Sequence, residues 1–369
     1  MEIILYSIYR LIFEKASIQS IVSELNLQDD FVHFLNRLKT FSWKSALNTK
    51  TKFERLSILE AIPNFFIEHL TPIMNFDTIK KNIRYMNQFT DQDSITFRIN
   101  TLTTETNSLQ SLMSSIKEDL KKIDIKIWKD KDISNIFHTS YKNKRKILRS
   151  RCYRNAEIIF QDKATSAVVE LLSPMPDEVI LDMCAAPGIK SSLIAQLTNN
   201  QANIICNDFA QVRLEFMGKF LNFLRVSNSF LLNSDAIHLP IKKIIKFDKV
   251  LIDPPCTGSG TFLLNPELKW RQNQSFLKQN LLIQEKLIKT ALTYLKNNGV
   301  LVYSTCSLYP EEGELQIMKF KELLEPLPIP KWFSPSYKIN NQILKGTGRL
   351  FPAIHKTQGF FVGRFKKKE

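Results

Sequence analysis

Two cysteines stand directly after apolar segments that have the composition of buried strands. Cys306 follows the β-branched run of "VLVYSTCSLYPEEGE" (300–314), and Cys256 follows the Asp-Pro-Pro turn of "LIDPPCTGSGTF" (251–262). A single cysteine at the end of a strand is more often a small buried hydrophobic residue than a nucleophile. Two cysteines that face one pocket favour the opposite interpretation, in which a thiolate attacks a substrate.

Small and acidic residues stand at the ends of other strand-like segments. In "LDMCAAPGIKSS" (181–192), alanine and glycine allow a ligand to approach the backbone, and the following helix offers free amides. Asp208 is placed to accept both hydroxyl groups of a ribose, and Asp235 to accept a hydrogen bond from an adenine amino group. These residues indicate an adenosine-bearing cofactor. The alternatives are a tightly packed turn at 181–192 and capping roles for the two aspartates.

The elements that must position these residues alternate between strand and helix from residue 166 onward. Continuous apolar strands are typical of a parallel sheet covered by helices on both faces, and ligands of such sheets bind beyond the carboxyl ends of the strands. The predicted strands include "EVILDMC", "NIICND", "FDKVLIDPP" and "GVLVYSTC", with "QGFFVGRF" as the last strand. We therefore predict an α/β fold whose strand ends carry the site.

The first part of the chain has a different pattern. Residues 1 to 90 place Phe, Leu and Ile at intervals of three and four, which predicts a helical domain, and Pro63 is predicted to start a new helix. From residue 94 the pattern is strand, helix and a short strand at "DIKIW". The basic segment "YKNKRKILRSRCYR" (141–154) is predicted to be a loop or strand that either contacts phosphate groups or forms a solvated face.

Composition restricts the partners and the compartment. Lys and Arg exceed Asp and Glu by 51 to 36, and the resulting net charge of +15 makes nucleic acid the first candidate partner, although a biased genome would also raise the lysine count. The five cysteines form no CxxC pair, which argues against a metal site, and their odd number fits a reducing cytoplasm. The apolar start reads as a first helix rather than a signal peptide, and no apolar run is long enough to predict a membrane partner.

The motifs together resemble the RsmB/Nop/Sun family of RNA cytosine-5 methyltransferases, which use S-adenosylmethionine. The resemblance runs through "FRINTL", "IIFQDKATS", "DMCAAPGIK", "DPPCTGSG", "YSTCSLYPEEGE" and "QGFFVGRF". It implies a Rossmann-like class I methyltransferase domain at 166–369, with a mostly parallel seven-stranded sheet. An RRM-like RNA-binding subdomain is implied at 91–165, and a shortened NusB-like helical domain at 1–90.

The resemblance also implies roles for individual residues. Cys306 would attack carbon 6 of the target cytosine, Cys256 would assist release, and Asp253 and Lys190 would contact the base. The implied S-adenosylmethionine contacts are Cys184, Ala185, Ala186, Pro187, Gly188, Ile189, Lys190, Asp208, Arg213, Asp235 and Asp253. Ile189 departs from the family, which has a second glycine there, and it would weaken cofactor binding if its side chain pointed into the pocket.

The predicted partner is rRNA or tRNA, and the helical N-terminal region favours rRNA slightly. The target cytosine must leave its stack to reach the pocket, so a single-stranded or loop region is expected, bound by a monomer. Two other hypotheses remain open. One is a catalytically silent RNA-binding or ribosome-assembly factor, against which the intact Cys256 and Cys306 argue. The other is an amine-directed nucleic-acid methylase, a class that carries an aromatic residue where this chain has Cys256.

Overall fold

The chain folds as two units. The computed structural model describes residues 2–88, 93–104 and 109–369. Its two units are Met1–Leu59 and Glu60–Glu369. The division into domains at 1–90, 91–165 and 166–369 stays a prediction.

The smaller unit is helical, because its apolar residues recur at helical spacing. Its helices are α1 (Glu2–Ile12), α2 (Ile18–Leu25), α3 (Asp29–Lys39), α4 (Trp43–Ala46) and α5 (Lys52–Leu59). Leu11, Ile21 and Leu35 come from three different helices and are buried in one cluster. Helix α2 begins where the Ser17 side chain accepts a hydrogen bond from the Ser20 amide. Burial of one apolar stripe per helix therefore holds this unit together.

The larger unit begins with two further helices, α6 (Asn64–Leu70) and α7 (Phe76–Asn87). Pro63 directly precedes α6, as predicted. Phe66 is fully buried, and the centre of its ring lies 5.3 Å from that of Phe262 and 5.9 Å from that of Tyr309. Helix α6 therefore packs against segments that follow Cys256 and Cys306.

A small antiparallel sheet comes next in the chain. Its elements are β1 (Ser94–Ile99), α8 (Leu109–Lys122), β2 (Trp128–Lys129), β3 (Ile136–Ser140), α9 (Lys144–Arg149), α10 (Arg151–Arg154) and β4 (Ile158–Phe160). The strand order is β2-β3-β1-β4, and every pairing in it is antiparallel. Helix α8 packs on one face of this sheet through Leu112, Ile116 and Leu120, which join Phe97 and Phe137 in one core.

Two local predictions in this region are wrong. The basic segment 141–154 is helical rather than a loop or strand. Its buried residues Ile147 and Cys152 face the small core, but they are few and stand among the cations Arg145, Lys146, Arg149 and Arg151, so the helical period is hidden in the sequence. The strand expected at "DIKIW" is confined to Trp128–Lys129, because Ile125 instead enters the core ahead of it.

The large sheet and its helices form the rest of the chain. The helices are α11 (Lys163–Leu172), α12 (Ile189–Leu197), α13 (Gln211–Phe223), α14 (Gln274–Tyr294), α15 (Glu314–Met318) and α16 (Pro352–His355). The strands are β5 (Val179–Asp182), β6 (Asn203–Asp208), β7 (Ser229–Asn233), β8 (Phe247–Ile252), β9 (Leu295–Thr305), β10 (Leu324–Pro326), β11 (Ser334–Pro335), β12 (Lys338–Ile339), β13 (Gln342–Ile343), β14 (Thr347–Leu350) and β15 (Phe360–Lys367).

The large sheet has the order β11-β14-β15-β9-β8-β5-β6-β7, and β10 also pairs with β15. Strands β9, β8, β5, β6 and β7 are mutually parallel, whereas β15 runs antiparallel to β9 and β14. Seven strands were expected, and nine occur in the described part of the chain because the short β10 and β11 extend the same sheet. The last strand is β15, as predicted.

Alternate residues of the central strands enter two different cores. Ile180 and Val302 join the core that includes residues of α11 and α12, whereas their neighbours Leu181 and Leu301 join the core that includes residues of α14. The sheet is therefore covered on both faces, which explains why the runs 179–181 in β5 and 300–302 in β9 are apolar without interruption. Because both faces are covered, a ligand can reach the sheet at the carboxyl ends of its parallel strands.

Candidate active site

One cavity collects the residues that follow the parallel strands. Strands β5, β6, β8 and β9 point the same way, so their carboxyl ends meet at one edge of the sheet, where a cavity of about 790 Å³ opens. The predicted site residues that line this cavity are Cys184, Ala186, Lys190, Asp208, Arg213, Asp235, Asp253, Cys256 and Cys306.

The two cysteines of the cavity are in direct contact. The Cys256 and Cys306 sulfur atoms lie 3.1 Å apart, and both residues carry free thiols. Strands β8 and β9 pair in parallel, which places the segments that follow them side by side. A hydrogen bond with Cys306, and next burial, raise the pKa of the Cys256 thiol well above its ordinary value. Cys256 therefore keeps its proton and can direct it toward the Cys306 sulfur.

A charged pair lies beside the thiols. The Lys190 ammonium donates a hydrogen bond to the Asp253 carboxylate, whose other oxygen accepts one from the Ser304 hydroxyl at 3.0 Å. Burial lowers the pKa of Lys190, but the Asp253 carboxylate raises it more, and the net direction is upward. The site therefore holds a fixed cation and a fixed anion, which can stabilise charge that develops on a bound ring.

The acidic residues at the other end of the cavity are held by backbone amides. The Asp208 carboxylate accepts hydrogen bonds from the amides of Ala186 at 3.2 Å and Ala210 at 2.9 Å, and pairs with Arg213 at 2.8 Å. Asp235 accepts from the Ile237 amide at 2.9 Å, so it caps a short 3-10 turn while also lining the cavity. Two carboxylates beside a loop of small residues fit the sugar and base of an adenosine.

Four predicted contacts do not line the cavity: Ala185, Pro187, Gly188 and Ile189. The Ile189 side chain packs instead with Ile159, Phe220 and Leu224, so the departure from the family at this position does not obstruct the pocket. Gly188 has a φ of +98°, and a Cβ atom there would lie 2.9 Å from Met217 Cγ. Glycine is therefore required at 188 by the backbone and by the packing of α13.

Sequence reasoning missed several cavity residues. Thr165, Asn207, Phe209 and Gln358 also line it. Thr165 and Gln358 lie in the motifs "IIFQDKATS" and "QGFFVGRF", and Asn207 and Phe209 flank Asp208, so their positions were available as a signal. Their side chains offer hydroxyl, amide and aromatic groups to a ligand.

Among the residues that the structure describes, no group of three or more His, Cys, Asp or Glu side chains is placed to hold a metal ion. The described helices include none with the length and apolarity needed to cross a bilayer.

The sheet order and the ligand-binding edge define a class I methyltransferase fold. The family model for the 16S rRNA methyltransferase RsmB/F matches residues 169–366, and the chain belongs to this family.

The chain is similar to curated proteins that are named as rRNA or tRNA methyltransferases. A probable ribosomal RNA small subunit methyltransferase B of Synechocystis is 34% identical over 213 residues, which cover 56% of this chain and 47% of the relative. A tRNA (cytosine(72)-C(5))-methyltransferase of Pyrococcus horikoshii is 36% identical over 211 residues, covering 56% of this chain and 51% of the relative. The chain thus spans about half the length of these relatives.

Solved structures extend the similarity to most of the chain. The crystal structure of a methyltransferase homologue from Pyrococcus horikoshii is 27% identical, with a TM-score of 0.73. The similarity covers 86% of this chain and 99% of that one. The described fold is therefore shared well beyond the methyltransferase sheet.

Proposed function

We propose that this protein methylates carbon 5 of a cytosine in RNA, with S-adenosylmethionine as the methyl donor. The observation that carries this proposal is the 3.1 Å contact between the Cys256 and Cys306 sulfur atoms in the cavity at the sheet edge. Relatives that are named as cytosine-C5 methyltransferases of rRNA or tRNA support the same reaction.

Cys306 is the proposed nucleophile. Carbon 5 of cytosine is a poor nucleophile while the ring is aromatic. Addition of the Cys306 thiolate to carbon 6 forms a sulfur–carbon bond and moves the electron pair of the 5,6 double bond to carbon 5, which becomes nucleophilic. S-adenosylmethionine, when bound, supplies the electrophilic methyl group. Dividing one high barrier into two smaller ones is what covalent catalysis contributes.

Lys190 and Asp253 would hold the ring during this addition. A carboxyl group of Asp253 suits the amino group and ring nitrogen 3 of cytosine, and the Lys190 ammonium suits an oxygen that gains negative charge. Their hydrogen bond to each other, together with that from Ser304, keeps both groups oriented before the base arrives.

Cys256 would act in the second stage. After methyl transfer, carbon 5 must lose its proton so that the electron pair re-forms the double bond and expels the Cys306 thiolate. Cys256 lies against the leaving sulfur and is therefore proposed to assist this elimination by donating its proton to the departing Cys306 thiolate. A solvent water molecule would accept the carbon 5 proton, and the Cys256 thiolate that remains would be reprotonated from solvent.

The cofactor would occupy the other end of the cavity. Cys184, Ala186, Asp208, Arg213 and Asp235 line it there and are proposed to bind S-adenosylmethionine, with the carboxylates on the ribose and adenine. The loop that follows β5 supports this placement, because the Asp208 carboxylate is already fixed to the Ala186 amide.

RNA is the proposed partner, and its contacts are proposed to involve the helical side of the small sheet. The strand order of that sheet supports an RRM-like subdomain. Its helix-free face is occupied, however, because Arg98 there is fully buried and donates hydrogen bonds to Ser192 at 2.7 Å and to Gln196 on α12. An RRM stacks bases on that face. The exposed cations of α9, α10 and the preceding turn are therefore the proposed phosphate contacts.

The test is transfer of a tritiated methyl group from S-adenosylmethionine to total RNA, followed by nucleoside analysis. We expect 5-methylcytidine from the natural protein and none from Cys306→Ala. Absence of transfer by the natural protein would favour a silent RNA-binding factor, and methylated adenine would favour the amine-directed class. Either result would contradict the proposal.

A further inference from the structure

Glu312 connects the segment that carries Cys256 to the segment that carries Cys306. It is fully buried, and its carboxylate accepts hydrogen bonds from the Thr257 amide at 2.9 Å and from the Thr257 hydroxyl. Thr257 is the residue next to Cys256, whereas Glu312 follows Cys306 on the other segment. One carboxylate therefore fixes the backbone beside the Cys256 thiol.

Glu312 is itself held on two sides. Its carbonyl oxygen accepts hydrogen bonds from the Tyr303 hydroxyl at 2.9 Å and the Thr305 hydroxyl at 3.2 Å, both on β9. Its carboxylate also accepts from the Gln284 amide at 2.9 Å, and that amide donates to the Pro255 carbonyl at 2.9 Å. The position of Glu312 is thus determined by the strand that leads to Cys306 and by helix α14.

Further hydrogen bonds join the two cysteine segments. The Gly260 amide donates to the carbonyl of Cys306 at 3.0 Å, and the Ser259 and Ser307 hydroxyls lie 3.0 Å apart. Among the groups that join the two cysteine segments, Glu312 contributes a carboxylate. Glu312 is not one of the described residues that line the cavity. Glu312 can therefore affect the reaction through the segments that it holds, rather than by touching a ligand in the cavity.

We propose that Glu312 is a positioning residue that holds the Cys256 sulfur against the Cys306 sulfur. This inference rests on the proposed function, because the contact matters for the elimination step in which Cys256 assists the departure of Cys306. A carboxylate is suited to the task since it accepts three donors at once: the amide and hydroxyl of Thr257 and the amide of Gln284.

The first measurement needs no RNA. Diamide, a diazene oxidant, takes up two electrons and two protons as it oxidises two neighbouring thiols to a disulfide. The rate of Cys256–Cys306 disulfide formation, followed by mass spectrometry, reports how closely the sulfurs approach. In Glu312→Gln, the carboxamide places an N–H group against other donors. We expect the disulfide to form at least about tenfold more slowly, as misplacement by about 1 Å would cause.

The second measurement separates attack from release. With RNA and S-adenosylmethionine, Glu312→Gln should methylate RNA in the first turnover at a rate within about threefold of the natural protein. Release of the covalent methylated-RNA adduct should be slower by about tenfold or more, so the adduct accumulates. A merely structural residue would change both rates together, through the amount of folded protein.

Two variants complete the test. Glu311→Gln is the matched control, because one carboxylate oxygen of the neighbouring Glu311 pairs with His69 at 2.8 Å and the other has no hydrogen-bond partner in the described part of the chain; both rates should stay unchanged. Thr257→Val removes one donor to Glu312 and should shift both measurements in the same direction by less. This variant keeps the test decisive if Glu312→Gln fails to fold.

The proposal is overturned if folded Glu312→Gln forms the disulfide at the natural rate. If Glu312→Gln does not fold, the same result for Thr257→Val overturns it. If the natural protein forms the disulfide rapidly yet transfers no methyl group, the proposed function fails, and the disulfide rates still decide the positioning role.

Discussion

Arg349 and Glu314 form a fully buried ion pair behind the segment that carries Cys306. The guanidinium donates to both carboxylate oxygens of Glu314, at 2.8 and 2.6 Å. It also donates to the carbonyls of Ser307 at 3.0 Å and Tyr309 at 3.2 Å. Burial lowers the pKa of Arg349, but Glu314 raises it more, so the group stays charged. This pair fixes the turn that directs Cys306 into the cavity.

Replacing Arg349 with Leu is expected to destabilise the protein by about 3–5 kcal/mol, because the substitution leaves the Glu314 carboxylate buried without its partner and removes two donors to the backbone. Urea unfolding followed by circular dichroism measures the change. Lys321→Ala is the control, since Lys321 forms an exposed pair with Glu322 at 3.7 Å. We expect a change within about 0.5 kcal/mol for the control. Equal stability of the two variants would show that the buried pair does not hold this turn.

The fold and the convergence of the cysteines could be predicted from the sequence for one physical reason. Parallel strands present their carboxyl ends at the same edge of the sheet, so residues far apart in sequence, such as Asp208, Cys256 and Cys306, fall into one cavity. Apolar runs and strand-end motifs are local signals, and they were sufficient for this result.

What the sequence did not reveal depends on contacts between distant segments. Nothing near Glu312 indicates that it binds Thr257, and nothing near Arg349 indicates Glu314, because buried polar pairs have no local period. The direction of the Ile189 side chain was open for a similar reason. It is decided by Phe220 and Leu224, which belong to another helix and the residue that follows it.

Replacing Cys256 with Ala should trap the enzyme on its RNA. Cys306 can still attack carbon 6, but the elimination that frees it is slowed, so a covalent RNA–protein complex accumulates. The complex is measured as a band that resists denaturing electrophoresis and carries the tritiated methyl group. Cys306→Ala and the double variant should form none, because both lack the attacking sulfur. Normal turnover by Cys256→Ala would refute its proposed role in release.

Asp182 should make the stability of the protein depend on pH. Burial raises the pKa of this carboxyl group from 3.8 to about 6, although the Ser191 hydroxyl donates a hydrogen bond to it at 2.7 Å. Between about pH 4 and pH 6, the folded state therefore keeps a proton on Asp182 that the unfolded chain has already lost. The resulting stabilisation is complete below about pH 4 and disappears as the pH rises through about 6.

Asp182→Asn removes this titration. Between about pH 4 and pH 7, the natural protein should lose on the order of 2–3 kcal/mol of unfolding free energy relative to the variant. Urea unfolding of both proteins across this range measures the difference. Parallel curves for the two proteins would contradict the raised pKa.

The cations of helices α9 and α10 supply a last prediction, about the side on which RNA binds. Arg145 and Arg149 are exposed residues of α9. This helix packs on the same side of the small sheet as α8, away from the face whose Arg98 contacts α12. Reversing both charges, in Arg145→Glu with Arg149→Glu, should weaken RNA binding by about tenfold or more near 0.1 M salt. It should also reduce the slope of log affinity against log salt by about 2, because about one counterion is released per phosphate contact.

Lys242→Glu with Lys243→Glu is the matched control for this charge change. Both lysines are exposed and precede β8, so they lie at the amino end of the strand, opposite the edge that carries the cavity. Filter binding with one RNA at several salt concentrations compares the two double variants with the natural protein. Since net charge falls equally in both, a larger loss for the α9 variant must come from its position. Equal losses would mean that the net positive charge, rather than a surface on the small sheet's helical side, attracts the RNA.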